Sequence, residues 1–157
     1  MGNDMSEDPK LISMCVPAQV EFLHLIRYVV RSAAKEFGFG AEDAAKIEMA
    51  ADEACTNVML HGYEDESGEQ SVYVKMEFNA DRMILKIIDR AKAFSPIERE
   101  TVTVEEHLKK GQRGGLGIYI MRSFMDEVNH EYDKDGNQLE LIKFLPTSES
   151  QKADALP

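Results

Sequence analysis

Two pairs of strand-like segments, each joined by a very short turn, constrain the fold of this chain most. In the first pair, apolar and polar residues alternate over 71–78, and a nearly continuous apolar run follows at 83–89. In the second pair, segments 129–134 and 137–145 flank Asp135-Gly136, a dipeptide typical of two-residue hairpins. Strands joined this closely run antiparallel, which excludes a parallel, doubly wound sheet.

Three further segments carry apolar residues at helical spacing. The first follows Pro17, a residue type that is favoured at the first helical position, and ends at Gly38. The second helix is predicted at 41–61 and the third at 115–127. With a further strand at 10–16, the pattern predicts an α+β fold, in which three main helices cover one face of a mostly antiparallel five-stranded sheet.

Length and charge limit the class of protein. The 157 residues predict one domain at 10–146, with polar tails at 1–9 and 147–157. The net charge of −11 repels phosphate backbones, so we expect no nucleic acid partner. No apolar stretch is long enough to cross a bilayer, and the acidic N-terminus does not resemble a signal peptide. With only Cys15 and Cys55, which form no CxxC pair, we expect a cytoplasmic protein with free thiols.

The second helix carries the first candidate site residues, Glu53 and Asn57. They are four residues apart and therefore share a helix face, at the edge of the predicted apolar stripe. A carboxylate in such a place can act as a general base, and a carboxamide oxygen can bind a hard cation such as Mg²⁺. An ordinary solvated helix face is the alternative.

Two more clusters follow along the chain. Asp89 ends an apolar strand, where its carboxylate can accept a hydrogen bond from an amino group or simply begin a turn. The glycine-rich stretch at 111–117 runs into the third helix, whose free N–H groups can bind phosphate; a flexible loop is the alternative. The stretch contains neither a P-loop nor a dinucleotide-binding fingerprint.

Taken together and in this order, the three clusters resemble the GHKL ATP-binding superfamily. Glu53-x-x-x-Asn57 with the following 61–63 (His-Gly-Tyr) resembles the N box, residues 89–96 resemble the first glycine box, and residues 113–118 resemble the second. The short single-domain form is most similar to the bacterial anti-sigma factor serine kinases, the RsbW-type branch. The resemblance covers about residues 10–145.

This resemblance implies a Bergerat-type ATP-binding sandwich, which binds ATP and Mg²⁺ between the helices and a lid at 90–114. Asn57 is then the Mg²⁺ ligand, Glu53 the base that activates a serine or threonine hydroxyl, and Asp89 the partner of the adenine amino group. Backbone N–H groups of Gly115, Leu116 and Gly117 are implied to hold phosphate. The remaining box residues implied to contact the nucleotide are Ala91, Ala93, Phe94, Arg113 and Gly114.

The function implied is that of an ATP-dependent serine/threonine protein kinase that acts as an anti-sigma regulatory factor. It would phosphorylate an anti-anti-sigma antagonist protein and sequester a sigma factor, without a membrane partner, and a homodimer is compatible with the resemblance. Two departures from the family pattern stand out: Ala91 replaces a glycine, and the last strand at 137–145 contains no threonine. The alternative is a non-catalytic GHKL-like partner-binding module with weak or lost ATP binding, and a sensor histidine kinase domain is a third candidate.

Overall fold

A computed structural model describes residues 8–63, 70–91 and 116–147. Within these ranges no helix is both long enough and apolar enough to span a bilayer. The helices and strands follow one another in this order: β1 (Lys10–Pro17), a 3₁₀ turn (Val20–Phe22), α1 (Leu23–Phe37), α2 (Ala41–Asn57), a π-helical turn (Val58–Gly62), β2 (Ser71–Phe78), β3 (Arg82–Asp89), α3 (Leu116–Phe124), β4 (Glu127–Asp133) and β5 (Gly136–Phe144).

The strands form one five-stranded sheet in the order β1-β2-β3-β5-β4, and each neighbouring pair is antiparallel. The predicted α+β fold with an antiparallel five-stranded sheet and three helices is therefore confirmed. Because β5 lies between β3 and β4, the last residue of β3, Asp89, pairs with Asn137 near the start of β5.

The core lies between the sheet and the helices. Along β2 and β3 every second side chain is buried, which is the pattern of a sheet with one covered face. Buried residues of all three helices belong to the same apolar cluster as these strands. The largest fully buried side chains include Ile26, Ile47, Met76, Leu85, Met121 and Leu141.

Two predicted helix ends were wrong. Pro17 does not begin a helix but ends β1, an edge strand, where the missing N–H of proline is tolerated. The third helix ends at Phe124 instead of residue 127, because the N–H of Asp126 bonds to the carbonyl of Ile142 in β5 at 2.9 Å. Residue 128 thus belongs to β4, where Val128 still packs against the core.

The second hairpin turn is also displaced by one residue from its predicted place. The strands close through the pair Asp133 and Gly136, so the two turn residues are Lys134 and Asp135. Gly136 has a positive φ of 120°, and a Cβ at this position would overlap the backbone carbonyl of Asp89. Glycine is therefore needed at position 136 because the start of β5 packs directly on the end of β3.

Candidate active site

Glu53 and Asn57 extend from α2 toward the first turn of α3. A Cβ added to Gly117 would lie 2.9 Å from Oε2 of Glu53 and 3.5 Å from Nδ2 of Asn57. Both side-chain ends are therefore near one point above Gly117, and only a residue without a side chain leaves that space open. The structure thus brings the first predicted cluster into contact with the end of the third.

The environment of Glu53 favours proton uptake. Burial raises the pKa of its carboxyl above the usual range, and the neighbouring charge of Asp52 raises it further. A carboxylate whose pKa is raised in this way is better suited to accept a proton near neutral pH than a fully solvated one. Asp52 itself faces α1, where it lies 3.4 Å from Nη1 of Arg27.

Asp89 is buried at the carboxyl end of β3, with 5% of its surface exposed. Its Oδ1 accepts hydrogen bonds from the backbone N–H of Ala91 at 2.8 Å and from Nδ2 of Asn137 at 3.0 Å. Among the described residues both bonds to this carboxylate end on Oδ1, so Oδ2 is the oxygen left to accept a bond from a ligand. The same Nδ2 of Asn137 also donates to the carbonyl of Ala91 at 3.4 Å.

Burial is the largest influence on the ionisation of Asp89, and it raises the pKa of the carboxyl. The hydrogen bonds from Asn137 and Ala91 and the charge of His130 oppose this effect only in part. Asp89 is therefore a desolvated carboxyl, and each additional hydrogen-bond donor stabilises its charged form.

Ala91, which stands where the family pattern has glycine, is not strained. No residue other than glycine has a positive φ in the part of the chain that the structure describes. The methyl group of Ala91 lies against Gly62, since a Cβ added there would be 3.2 Å from it. The glycine at the end of the π-helical turn therefore provides the space that the alanine side chain occupies.

Tyr63 fixes the backbone next to Asp89. Its hydroxyl donates a hydrogen bond to the carbonyl of Ser71 at 2.8 Å and accepts one from the N–H of Arg90 at 3.1 Å. Burial raises the pKa of this hydroxyl, so it stays protonated and keeps its donor role. The last residue of the N box segment, Tyr63, thus ties the start of β2 to the end of β3.

A cleft between α2 and the sheet connects Asn57 with Asp89. We call it the inter-layer cleft, and it is lined by Ala54, Asn57, Val58, Ile87, Asp89, His130, Asn137 and Leu139. It contains Asn57 and Asp89 from the sequence-based prediction, together with His130 and Asn137, which were missed. Asn137 could have been found from its position opposite Asp89, but only once β5 was known to pair with β3.

The rest of the predicted site is described only in part. Leu116 is half-buried and begins α3, directly before Gly117. Ala93, Phe94, Arg113, Gly114 and Gly115 lie outside the described residues, as does the lid segment after Ala91. Their contacts with a nucleotide stay predictions.

The sequence is similar to a known protein family and to several curated proteins. A family model described as the histidine kinase-like ATPase domain matches residues 16–143. The serine-protein kinase RsbW of Halalkalibacterium halodurans is 34% identical over 145 residues, which cover 90% of this chain and 87% of the relative. The serine-protein kinase RsbW of Bacillus subtilis is 30% identical over 146 residues, which cover 90% and 89%.

Solved structures support the same fold at lower identity. The RsbU and RsbW domains of a Mycobacterium tuberculosis protein superpose with a TM-score of 0.63 at 17% identity, covering 88% of this chain and 34% of that one. The histidine kinase domain of a blue-light activated histidine kinase from Erythrobacter litoralis gives a TM-score of 0.52 at 17% identity, covering 87% and 64%.

Replacing Asp89 by asparagine tests the buried carboxylate. Because the pKa of Asp89 is raised in the folded protein, stability from the neutral carboxyl is present at low pH and is lost as pH rises through the folded pKa. Asp89→Asn keeps an oxygen for the bonds from Ala91 and Asn137 but carries no charge. Urea unfolding from about pH 4 to 7 should therefore show the wild type losing free energy of unfolding relative to the variant. A difference that does not change with pH would contradict the desolvated carboxylate.

Proposed function

Since the chain belongs to the histidine kinase-like ATPase family, and within it to the group of the serine-protein kinases named RsbW, we propose that its inter-layer cleft binds ATP for transfer of the γ-phosphate to a protein hydroxyl. The family membership predicted from the three sequence boxes is confirmed. The single observation that carries the proposal is that the side-chain ends of Glu53 and Asn57 lie next to Gly117 at the start of α3.

Asp89 is the group in the cleft best suited to hold the base. Its Oδ2 can accept a hydrogen bond from the 6-amino group of adenine, while Oδ1 stays bonded to Ala91 and Asn137. The apolar side chains of Ile87 and Leu139, which also line the cleft, suit the faces of a purine ring.

Glu53 is proposed as the general base. The hydroxyl oxygen of a serine or threonine forms a bond to the γ-phosphorus of ATP as the bond from that phosphorus to the β,γ-bridging oxygen breaks and ADP leaves. The proton of the hydroxyl passes to the carboxylate of Glu53. The raised pKa of Glu53 supports this role, because a carboxylate with a higher pKa is a stronger base.

Asn57 is the proposed ligand for Mg²⁺. Its carboxamide oxygen is a hard donor of the kind that Mg²⁺ accepts, and the Nδ2 atom of the same group lies beside the open space above Gly117. Mg²⁺ usually binds through one or two protein oxygens together with phosphate oxygens, and it neutralises charge that develops during phosphoryl transfer. One protein ligand beside Gly117, at the start of the helix implied to hold phosphate, fits that pattern.

The partners follow from the group to which the chain belongs. We propose that the phosphorylated protein is a small anti-anti-sigma antagonist, that the chain also holds a sigma factor, and that it acts in the cytoplasm. The competing binding-module interpretation depended on Ala91 as an obstacle to the nucleotide. Since Ala91 is unstrained and its methyl group packs on Gly62, backbone strain at this position gives no ground for preferring the binding-module interpretation.

Glu53→Gln tests the general base. We expect phosphoryl transfer to a candidate antagonist protein to fall at least about 100-fold, with ADP affinity retained, because the amide cannot accept the proton. Transfer of radiolabelled γ-phosphate and calorimetric titration measure the two quantities. Glu42→Gln, on the exposed first turn of the same helix, is the matched control and should transfer phosphate at the wild-type rate. Undiminished transfer by Glu53→Gln would refute the assignment.

Gly117→Ala tests the contact between α2 and α3. The added methyl group would lie 2.9 Å from Oε2 of Glu53, so this flexible side chain must move. We expect transfer to fall by about tenfold or more, since small displacements of a positioned group are costly in rate. Gly40→Ala is the control, because nothing lies within 4 Å of a Cβ at that position. Equal transfer rates for the two variants would argue against a catalytic contact at Gly117.

Asn57→Ala tests the metal ligand. Calorimetric titration with ATP should show Mg²⁺-dependent binding to the wild-type protein, and the variant should lose about tenfold in affinity only when Mg²⁺ is present. Without Mg²⁺ the two proteins should bind ATP alike. An equal loss with and without Mg²⁺ would point to a direct contact with the nucleotide instead.

A further inference from the structure

His130 is a half-buried polar residue of the inter-layer cleft, and neither the sequence analysis nor the proposed chemistry uses it. It lies in β4 opposite Leu139 of β5, two residues after Val128, which packs against the core from the same strand. Its side chain lines the cleft with Asp89, and the charge of His130 is close enough to influence the ionisation of that carboxyl.

The ring nitrogen Nε2 of His130 is shielded from solvent and has no hydrogen-bond partner in the described part of the chain. Two of the other polar groups of the cleft are engaged with each other, since Asn137 bonds to Asp89 and also to the carbonyl of Ala91. Besides Asn57, the rest of the wall consists of four apolar side chains, those of Ala54, Val58, Ile87 and Leu139. A buried ring nitrogen without a partner costs free energy, so a ligand that supplies the partner gains what the free protein lacks.

The chemistry of the base suggests which atom that partner is. The 6-amino group of adenine lies between two ring nitrogens, N1 and N7, and both are hydrogen-bond acceptors. If Asp89 accepts a hydrogen bond from the amino group, a donor elsewhere in the same cleft can bond to N1 or N7. An imidazole that carries a proton on Nε2 donates to such an acceptor.

We propose that His130 is a base-recognition residue, whose Nε2 donates a hydrogen bond to a ring nitrogen of adenine adjacent to the amino group held by Asp89. This assignment rests on the proposed function, since it requires the base to occupy the inter-layer cleft. His130 and Asp89 then bind neighbouring atoms on one edge of the purine, and the cleft distinguishes adenine by the pattern of acceptor and donor along that edge.

The test measures the affinity of the protein for ADP, 1-deaza-ADP and 7-deaza-ADP by calorimetry. Each analogue replaces one ring nitrogen by C–H and so removes one acceptor. We expect the wild-type protein to bind ADP about tenfold more tightly than one of the two analogues. His130→Phe should bind ADP about tenfold more weakly and should not distinguish ADP from that analogue. His130→Gln, which keeps an N–H donor, should recover part of the difference.

Two controls separate recognition from a structural role. His24→Phe replaces an exposed histidine of α1 and should leave all three affinities unchanged. In the absence of nucleotide, His130→Phe should unfold at the same or a higher urea concentration than the wild type, because it removes an unsatisfied buried nitrogen. A less stable variant whose affinity falls equally for all three nucleotides would overturn the proposal, since that is the result of a structural role.

The remaining outcomes are also distinct. If the wild-type protein binds ADP and His130→Phe binds it equally well, the assignment of His130 is wrong and the proposed function is untouched. If the wild-type protein binds none of the three nucleotides at millimolar concentration, both the proposed function and the role of His130 are refuted.

Discussion

The buried carboxylate of Asp89 is the interaction on which the rest of the site depends. It joins the end of β3 to the start of β5 through Asn137 and to the following backbone through Ala91. A charge held this far from water is stable only with donors around it, and the donors within the described ranges bond to one of its two oxygens. The same desolvation that makes the group costly to bury makes its remaining oxygen a strong acceptor for a base.

The two parts of the candidate site are supported by different parts of the fold. The part around Asp89 is built from sheet residues, and Gly136 allows β5 to pack directly on the carbonyl of Asp89. The part around Glu53 is built from the contact of two helices, which depends on the missing side chain at Gly117. Base binding therefore depends on the packing of two strands, and phosphoryl transfer depends on the contact between two helices. A substitution can impair one of them without the other.

The fold class could be predicted from the sequence because the two strands of a hairpin are close together in the chain, so a short stretch of sequence shows both of them. The shared face of Glu53 and Asn57 was also predictable, since helical spacing fixes it. Asn137 and His130 were missed because their place beside Asp89 and in the cleft depends on strand order, which no local pattern encodes. Pro17 misled for a related reason: a proline suits both a helix start and an edge strand, and only the neighbouring strand decides between them.

The π-helical turn at Val58–Gly62 has a consequence for how this site can change during evolution. A π turn contains about one residue more than the α-helical turn it replaces. Deleting one residue there would let the segment wind as an ordinary α-helical turn, and Tyr63 would keep about the same direction from the helix axis. The hydroxyl of Tyr63 would then still reach Ser71 and Arg90, which it now joins. Loss of one residue from this turn is therefore easier to accommodate than a side chain at Gly62, where a Cβ would lie 3.2 Å from the methyl group of Ala91.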